Sequence, residues 1–351
     1  MAGRNGFGWS SLGWPWLWPM VSSSEQSGEQ LPGWTSPHRE VLSLPVARML
    51  DFSSDEPREG FPVLVVAPFA LHRALLADFA PGFSLMETLR AQLSAPLFLF
   101  EPLSAKPDTA DSGIDDYLHA LSTMIDEAGG RVRLVGLCQG GWLALMLAAR
   151  FPHKIERLAL IGAPVAMEAA ESPSVAKARV TTDASLQGLV TMSGGVMRGA
   201  MMLDDWHTDP MDEAQIAAIL QIDALDPELY ERFMRWHHAP LDLPGRYFLE
   251  VARLFRDNSL ARGKFRALGR EVDLTRYTAP ILMMAGEHDP VTPPAQLFAA
   301  AGLVGTPRRA QTRLTTPSNH LGLFMGQHTL SNEWRKIARW LMRKPAARTR
   351  T

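Results

Sequence analysis

The sequence predicts an α/β protein: a mostly parallel sheet flanked by helices and interrupted by a helical insertion. Three observations predict it. Short apolar runs rich in β-branched residues recur along the chain, amphipathic stretches alternate with them, and residues 166–265 carry helical spacing with no clear strand. Strands that are apolar along their whole length belong in a parallel sheet covered on both faces, because crossover helices exclude water from each side.

Taken in order, "FPVLVVAP" (61–68) is a buried strand ended by Pro68, and "FSLMETLRAQL" (83–93) has helical spacing. "PLFLFEP" (96–102) is a second strand, and "IDDYLHALSTMIDEAG" (114–129) is an amphipathic helix that ends in glycine. "VRLVGL" (132–137) is a third strand, leading into a helix over 140–150. "IERLALIGAPV" (155–165) and "APILMMAGEHD" (279–289) are a fourth and a fifth. "QTRLTTPSNH" (311–320) leads to the last loop, and "EWRKIARWLM" (333–342) closes the chain with an amphipathic helix. The expected organisation is a leader and linker at 1–38, core at 39–165 and 266–343, a helical cap insertion at 166–265, and a basic tail at 344–351.

Composition narrows the function classes. A chain of 351 residues with 46% hydrophobic and 21% charged residues has ample material for a large globular core. A net charge of −2 and the absence of a basic stripe before the tail "RKPAARTRT" argue against nucleic acid. One cysteine cannot close an intramolecular disulfide, which fits a reducing, cytoplasmic compartment. The opening "GWSSLGWPWLWPM" holds Trp9, Trp14, Trp16 and Trp18 among Gly and Pro. It lacks the basic and smooth apolar regions of a signal peptide and is too short to span a bilayer. Two readings stay open for it, a loosely packed leader or an anchor at an apolar–water interface. Residues 22–38 are polar and read as a linker.

The lone cysteine stands in "GLCQGG". Gly136-Leu137-Cys138-Gln139-Gly140, followed by Gly141, sits between a strand and a helix, the context of a nucleophile elbow. The glycines permit a strained turn and close backbone packing, and the helix N-terminus behind favours an anion at sulfur. The Gln139 N–H is expected to donate to an oxyanion, with a second donor from Ala70 or Leu71 in the loop after the first strand. A buried, inert cysteine is the competing explanation.

An elbow demands an acid and then a histidine, each in a loop after a later strand. Asp289 follows the fifth strand and His320 lies in the next strand-to-helix loop. An Asp in a turn ordinarily makes a local cap or Asx-turn, and a loop His is ordinarily solvated; order and topology together single these two out. His288 precedes the final strand and has the wrong topology for the base, and His72 reads as a polar neighbour. The histidines are scattered, with His237 and His238 adjacent, so no metal or other cofactor is expected. In this constellation His320 takes the thiol proton, Asp289 orients the imidazolium, and Cys138 attacks an acyl carbonyl. An acyl-cysteine is a thioester and remains activated, which favours passing the acyl group to an alcohol over simple hydrolysis.

The elbow "GLCQGG", the block "LPGRYFLEVARLFRDNSLARGKFRALGREVDLTRYTAPILMMAGEHDPVTPP" (243–294) and the terminal "NHLGLFMG" together resemble the polyhydroxyalkanoate synthase family, which includes intracellular polyhydroxyalkanoate depolymerases. The resemblance runs from about 60 to 342. It implies an α/β-hydrolase fold with a helical cap, and Cys138, Asp289 and His320 as nucleophile, acid and base. The substrate it implies is a 3-hydroxyacyl-CoA, with coenzyme A as leaving group and not as cofactor, or the polymer itself. His320 would also activate the hydroxyl that extends the chain. The short N-terminal region is similar to synthases that work with a second subunit; a homodimer is the other arrangement considered. The Trp-rich leader would then contact polymer granules. Departures are Glu101-Pro102 where synthases usually carry Asp-Trp, "SNHLG" before the final helix, and His72 where many members have Asn. A depolymerase or hydroxyacyl thioesterase keeps the same triad with water as acceptor, a dienelactone-type hydrolase is more remote for want of a long insertion, and a granule- or partner-binding protein is the non-enzymatic alternative. Met192, Met197, Met201 and Met202 either line an adaptable surface or fill the core.

Overall fold

The computed structural model describes residues 31–54, 59–205 and 212–343. The Trp-rich stretch and the basic tail lie outside them. The compact body runs from Pro32 onward.

Eight strands form one sheet. In chain order they are β1 (Arg39–Ser43), β2 (Ala47–Asp51), β3 (Val63–Val66), β4 (Leu97–Pro102), β5 (Val132–Leu137), β6 (Ile155–Ile161), β7 (Ile281–Gly286) and β8 (Gln311–Thr316), arranged β1-β2-β4-β3-β5-β6-β7-β8. The pairs β1/β2 and β2/β4 are antiparallel and the rest are parallel. Along β3, Leu64 and Val66 enter one core and Val63 and Val65 the other, as the two-residue pleat requires of a strand buried on both faces. Helices α1 (Leu85–Gln92), α2 (Ile114–Glu127) and α3 (Gln139–Arg150) follow β3, β4 and β5. The final helix, α10 (Arg335–Leu341), packs on the same side as α1.

Strand order reverses at β3, which has β4 on one side and β5 on the other. That switch point opens a crevice beyond the carboxyl ends of β3 and β5, where open α/β sheets place their ligands. The loop with Ala70 and Leu71 and the Cys138 turn both lie there.

Between β6 and β7 come α4 (Pro173–Val180), α5 (Asp183–Met192), α6 (Gly199–Asp205), α7 (Glu213–Leu220), α8 (Pro227–His237) and α9 (Gly245–Asp257). The segment expected to hold no strand contains one small antiparallel pairing, Val196–Met197 with Leu243–Pro244, which ties the entry of α6 to that of α9. The methionines divide: Met197 and Met202 are buried, Met192 and Met201 exposed.

Two features at the amino end differ from expectation. The last residues of the segment read as linker are docked: Thr35 and Ser36 donate backbone N–H to Asp78 Oδ2 at 2.7 and 2.8 Å, and the Ser36 hydroxyl donates to Oδ1. A buried carboxylate needs such donors, and this polar stretch supplies them. Residues 39–51 form the hairpin β1/β2, whose outer strand is almost wholly exposed and opens on Arg39 and Glu40, as suits an edge that must not pair with another chain. Glu101, one of the departures from the synthase pattern, lies opposite Arg48 in the β2/β4 register and accepts from its Nε at 2.6 Å.

Candidate active site

Cys138 occupies the turn between β5 and α3 with φ 49° and ψ −119°. Positive φ costs a non-glycine residue roughly 1–3 kcal/mol, and such strain persists only where the surroundings enforce it. The three glycines show how they do. A Cβ on Gly140 would stand 2.3 Å from the Val66 carbonyl oxygen, one on Gly136 2.4 Å from Gly141 Cα, and one on Gly141 2.3 Å from Ala163 Cβ. The turn is therefore wedged against β3 and the β6 loop at distances that no side chain allows.

Asp289, in the loop after β7, serves two sets of donors. Its Oδ1 accepts from the backbone N–H groups of Val291 and Thr292 at 2.9 and 2.8 Å, which is the local Asx-turn a loop Asp ordinarily makes. Its Oδ2 accepts from His320 Nδ1 at 2.7 Å. The backbone thus fixes the carboxylate, and the carboxylate fixes the tautomer and plane of the imidazole. Phe324 sets an edge against the same ring, 5.4 Å between centroids.

Cys138, Asp289 and His320 are 7%, 4% and 8% exposed. Burial alone would push the His320 pKa down. The charge of Cys138 and that of Asp289, with side-chain hydrogen bonds to both, outweigh it and raise the pKa to about 10. The imidazole therefore holds its carboxylate on one side and is close enough to Cys138 to feel its charge. This is a geometry for taking a thiol proton and returning it to a leaving group.

The rest of the expected site divides. Gln139 is the first residue of α3, so its N–H has no intrahelical acceptor. Leu71 is buried and its carbonyl accepts from Leu241 N at 2.7 Å, tying the β3 loop to the insertion; Ala70 beside it is half-buried. His288 is exposed. His72 stacks on Trp236 and His237 of α8, with centroids 4.4 and 4.8 Å apart. Burial, then the neighbouring His237, lowers its pKa to about 3, so the imidazole is neutral.

One residue near the sulfur escaped sequence reasoning. Tyr247, on α9, donates its hydroxyl to Gln139 Oε1 at 3.3 Å and is close enough to Cys138 to feel its charge. A tyrosine on an amphipathic helix carries no motif, and only the fold brings α9 over the elbow. A cavity of about 190 Å³ lined by Ile114, Asp115, Arg246, Glu250, Arg253 and Phe265, among others, takes in none of the triad. Ile216, Ile219, Leu220, Phe233 and Trp236 of the insertion join Cys138 in one buried apolar cluster.

A family model described as "Protein of unknown function (DUF3141)" matches residues 44–302. The chain belongs to that family. The matched span takes in Cys138 and Asp289 and ends before His320. Among curated proteins, the poly(3-hydroxyalkanoate) polymerase subunit PhaC of Allochromatium vinosum is 26% identical over 298 residues, covering 81% of this chain and 81% of that protein. The subunit of the same name from Haloferax mediterranei is 24% identical over 326 residues, 87% of this chain but 63% of its own length, so the chain spans less than two thirds of that relative. The resemblance drawn from the elbow and the downstream blocks thus extends over most of the chain.

Among solved structures, a monoacylglycerol lipase from Paleococcus ferrophilus superposes with a TM-score of 0.57 at 16% identity, covering 84% of this chain and 98% of its own. A thermophilic esterase from Thermogutta terrifontis gives 0.54 at 15% identity, with 88% and 100% covered. At these identities they speak to fold alone, and the fold is that of the α/β-hydrolases. The curated relatives, for their part, support an enzyme.

Proposed function

We propose that the protein is a polyhydroxyalkanoate synthase-like acyltransferase that works on 3-hydroxyacyl-CoA through an acyl-Cys138 intermediate. The observation that carries it is the cysteine at a glycine-wedged, positive-φ elbow, whose charge acts on a buried His320 imidazole bonded to Asp289 at 2.7 Å. Polymerase subunits as relatives supply the substrate class.

In the first half-reaction His320 holds the proton taken from Cys138, and the thiolate adds to the thioester carbonyl. The oxyanion is met by the Gln139 N–H and an N–H of the Ala70–Leu71 loop. The tetrahedral species collapses, the bond to the coenzyme A sulfur breaks, and His320 protonates the departing thiolate. One thioester replaces another, so little free energy is lost. In the second half, His320 takes the proton of an acceptor hydroxyl, the alkoxide adds to the acyl-Cys138 carbonyl, and Cys138 leaves as thiolate. A 3-hydroxyl on another acyl unit as acceptor lengthens a chain; water as acceptor makes the same machinery a thioesterase or depolymerase.

The test is purified protein with 3-hydroxybutyryl-CoA, following free thiol by titration and product by chromatography. Coenzyme A release with oligomer is the expected result. Release with only 3-hydroxybutyrate would establish a thioesterase instead. No release, with hydrolysis of amorphous granules, would establish a depolymerase. Cys138→Ala should abolish whichever activity is found, and full activity in that variant would refute the triad.

A further inference from the structure

The ring and the hydroxyl of Tyr247 reach two different parts of the site. The ring packs against Phe69, 5.1 Å between centroids, and Tyr117, 4.9 Å. Phe69 stands in the loop after β3, next to the Ala70 and Leu71 N–H groups. The hydroxyl donates to the Gln139 side chain, and Gln139 carries the other N–H of the oxyanion site. The residue is 2% exposed. Burial first, then the charges of Cys138 and Glu250, hold the phenol far above its ordinary pKa, so it acts as a hydrogen-bond donor and not as a base.

We propose that Tyr247 is a positioning residue that clamps the two halves of the oxyanion site together, its ring bracing the β3 loop and its hydroxyl bracing Gln139. The proposal rests on the acyl-enzyme reading above. Two backbone N–H groups from separate loops stabilise a developing oxyanion only if their spacing is held to a fraction of an ångström. Here one side chain from the insertion touches both loops. At 3.3 Å the bond to Gln139 is slack beside the usual range of about 2.5–3.0 Å for O–H···O. Catalytic hydrogen bonds are often long at rest and tighten as charge develops. The clamp also gives the insertion a chemical part, because displacing α9 would loosen both donors at once.

Since Cys138 is the sole cysteine of the chain, two probes separate the clamp from the nucleophile. Alkylation by iodoacetamide needs the thiolate and no oxyanion. Acylation by p-nitrophenyl acetate needs both, and its burst of p-nitrophenol reads the acyl-enzyme whatever the natural acceptor. Tyr247→Phe keeps the ring against Phe69 and Tyr117 and removes only the hydroxyl. The expected result is acylation slowed by about tenfold to a hundredfold with alkylation within about twofold of wild type. Gln139→Ala, which retains its backbone N–H, should slow acylation similarly, and the double variant should be no slower than either, because both remove one interaction. An unchanged burst in Tyr247→Phe, an equal loss in both probes, or additive effects in the double variant would each overturn the clamp while leaving the acyl-enzyme intact. Wild-type protein that is alkylated at Cys138 but gives no burst would instead overturn the acyl-enzyme reading itself.

Discussion

His320 carries the clearest linkage in the protein. Its pKa is raised to about 10 from an ordinary 6.5, so its stabilising contribution is full below pH 6.5 and is lost as pH rises through about 10. Asp289→Asn removes one of the charges that raise it. The wild type should therefore melt above this variant by most near about pH 6, the gap closing toward about pH 10, as thermal unfolding across a pH series would show. Gly140→Ala belongs to the same scale. Its Cβ would meet the Val66 carbonyl, a backbone atom that cannot step aside, so β3 and the elbow must part. A loss of about 1–3 kcal/mol or more is expected in denaturant titrations, together with loss of Cys138 acylation. The tight turn at Cys138 was legible in its glycines, and the meeting of Asp289 with His320 in the order of strands and loops. Tyr247 was not, since a helix tolerates tyrosine anywhere and its significance arises from the crossing of α9 over α3.

At the scale of elements, α8 is tied to the core by rings and hydrogen bonds. Trp236 is 1% exposed, donates its indole N–H to the Arg73 carbonyl at 3.1 Å, and stacks on His72. Arg232, one turn earlier, donates to the carbonyls of Phe79 and Gly33. Trp236→Ala should cost about 3–5 kcal/mol in chemical unfolding, the range for emptying a buried aromatic site. The paired imidazoles add an acid sensitivity. His237 is lowered to about 4 by burial and then by His238, and His72 to about 3. A histidine held neutral in the fold stabilises fully above its unfolded value of 6.5, and that stability is lost as pH falls toward 4 and 3. His237→Phe should flatten the fall in melting temperature between about pH 6.5 and pH 4; an unaltered slope would mean that other groups govern acid unfolding. Sequence reasoning found β3 to β7 through their largely apolar runs, whereas β8 is half polar and offers none. It passed over β1 and β2 because an edge hairpin alternates and carries charge, and it missed the Val196–Met197 pairing because two residues show no period.

For the whole molecule, the sheet order places the elbow, the oxyanion loop and the insertion on one rim, and no helix among the described residues is long and apolar enough to cross a membrane. Trp9, Trp14, Trp16 and Trp18 lie outside the described residues, and their chemistry makes the prediction: replacing all four with serine should release the protein from polymer granules in a pelleting assay, and undiminished pelleting would remove the anchor from consideration. The burial of Cys138, Asp289 and His320 has a kinetic corollary for the proposed enzyme. If a substrate reaches them only while the insertion is displaced, observed affinity is diluted by that receptive fraction. If about one molecule in a hundred is receptive, apparent binding is about a hundredfold weaker than intrinsic binding. Turnover would then answer to whatever loosens α8, so that mild denaturant, or an apolar interface, raises the rate before it harms the fold. The same seating that shields an acyl-cysteine from water would thereby act as the enzyme's throttle.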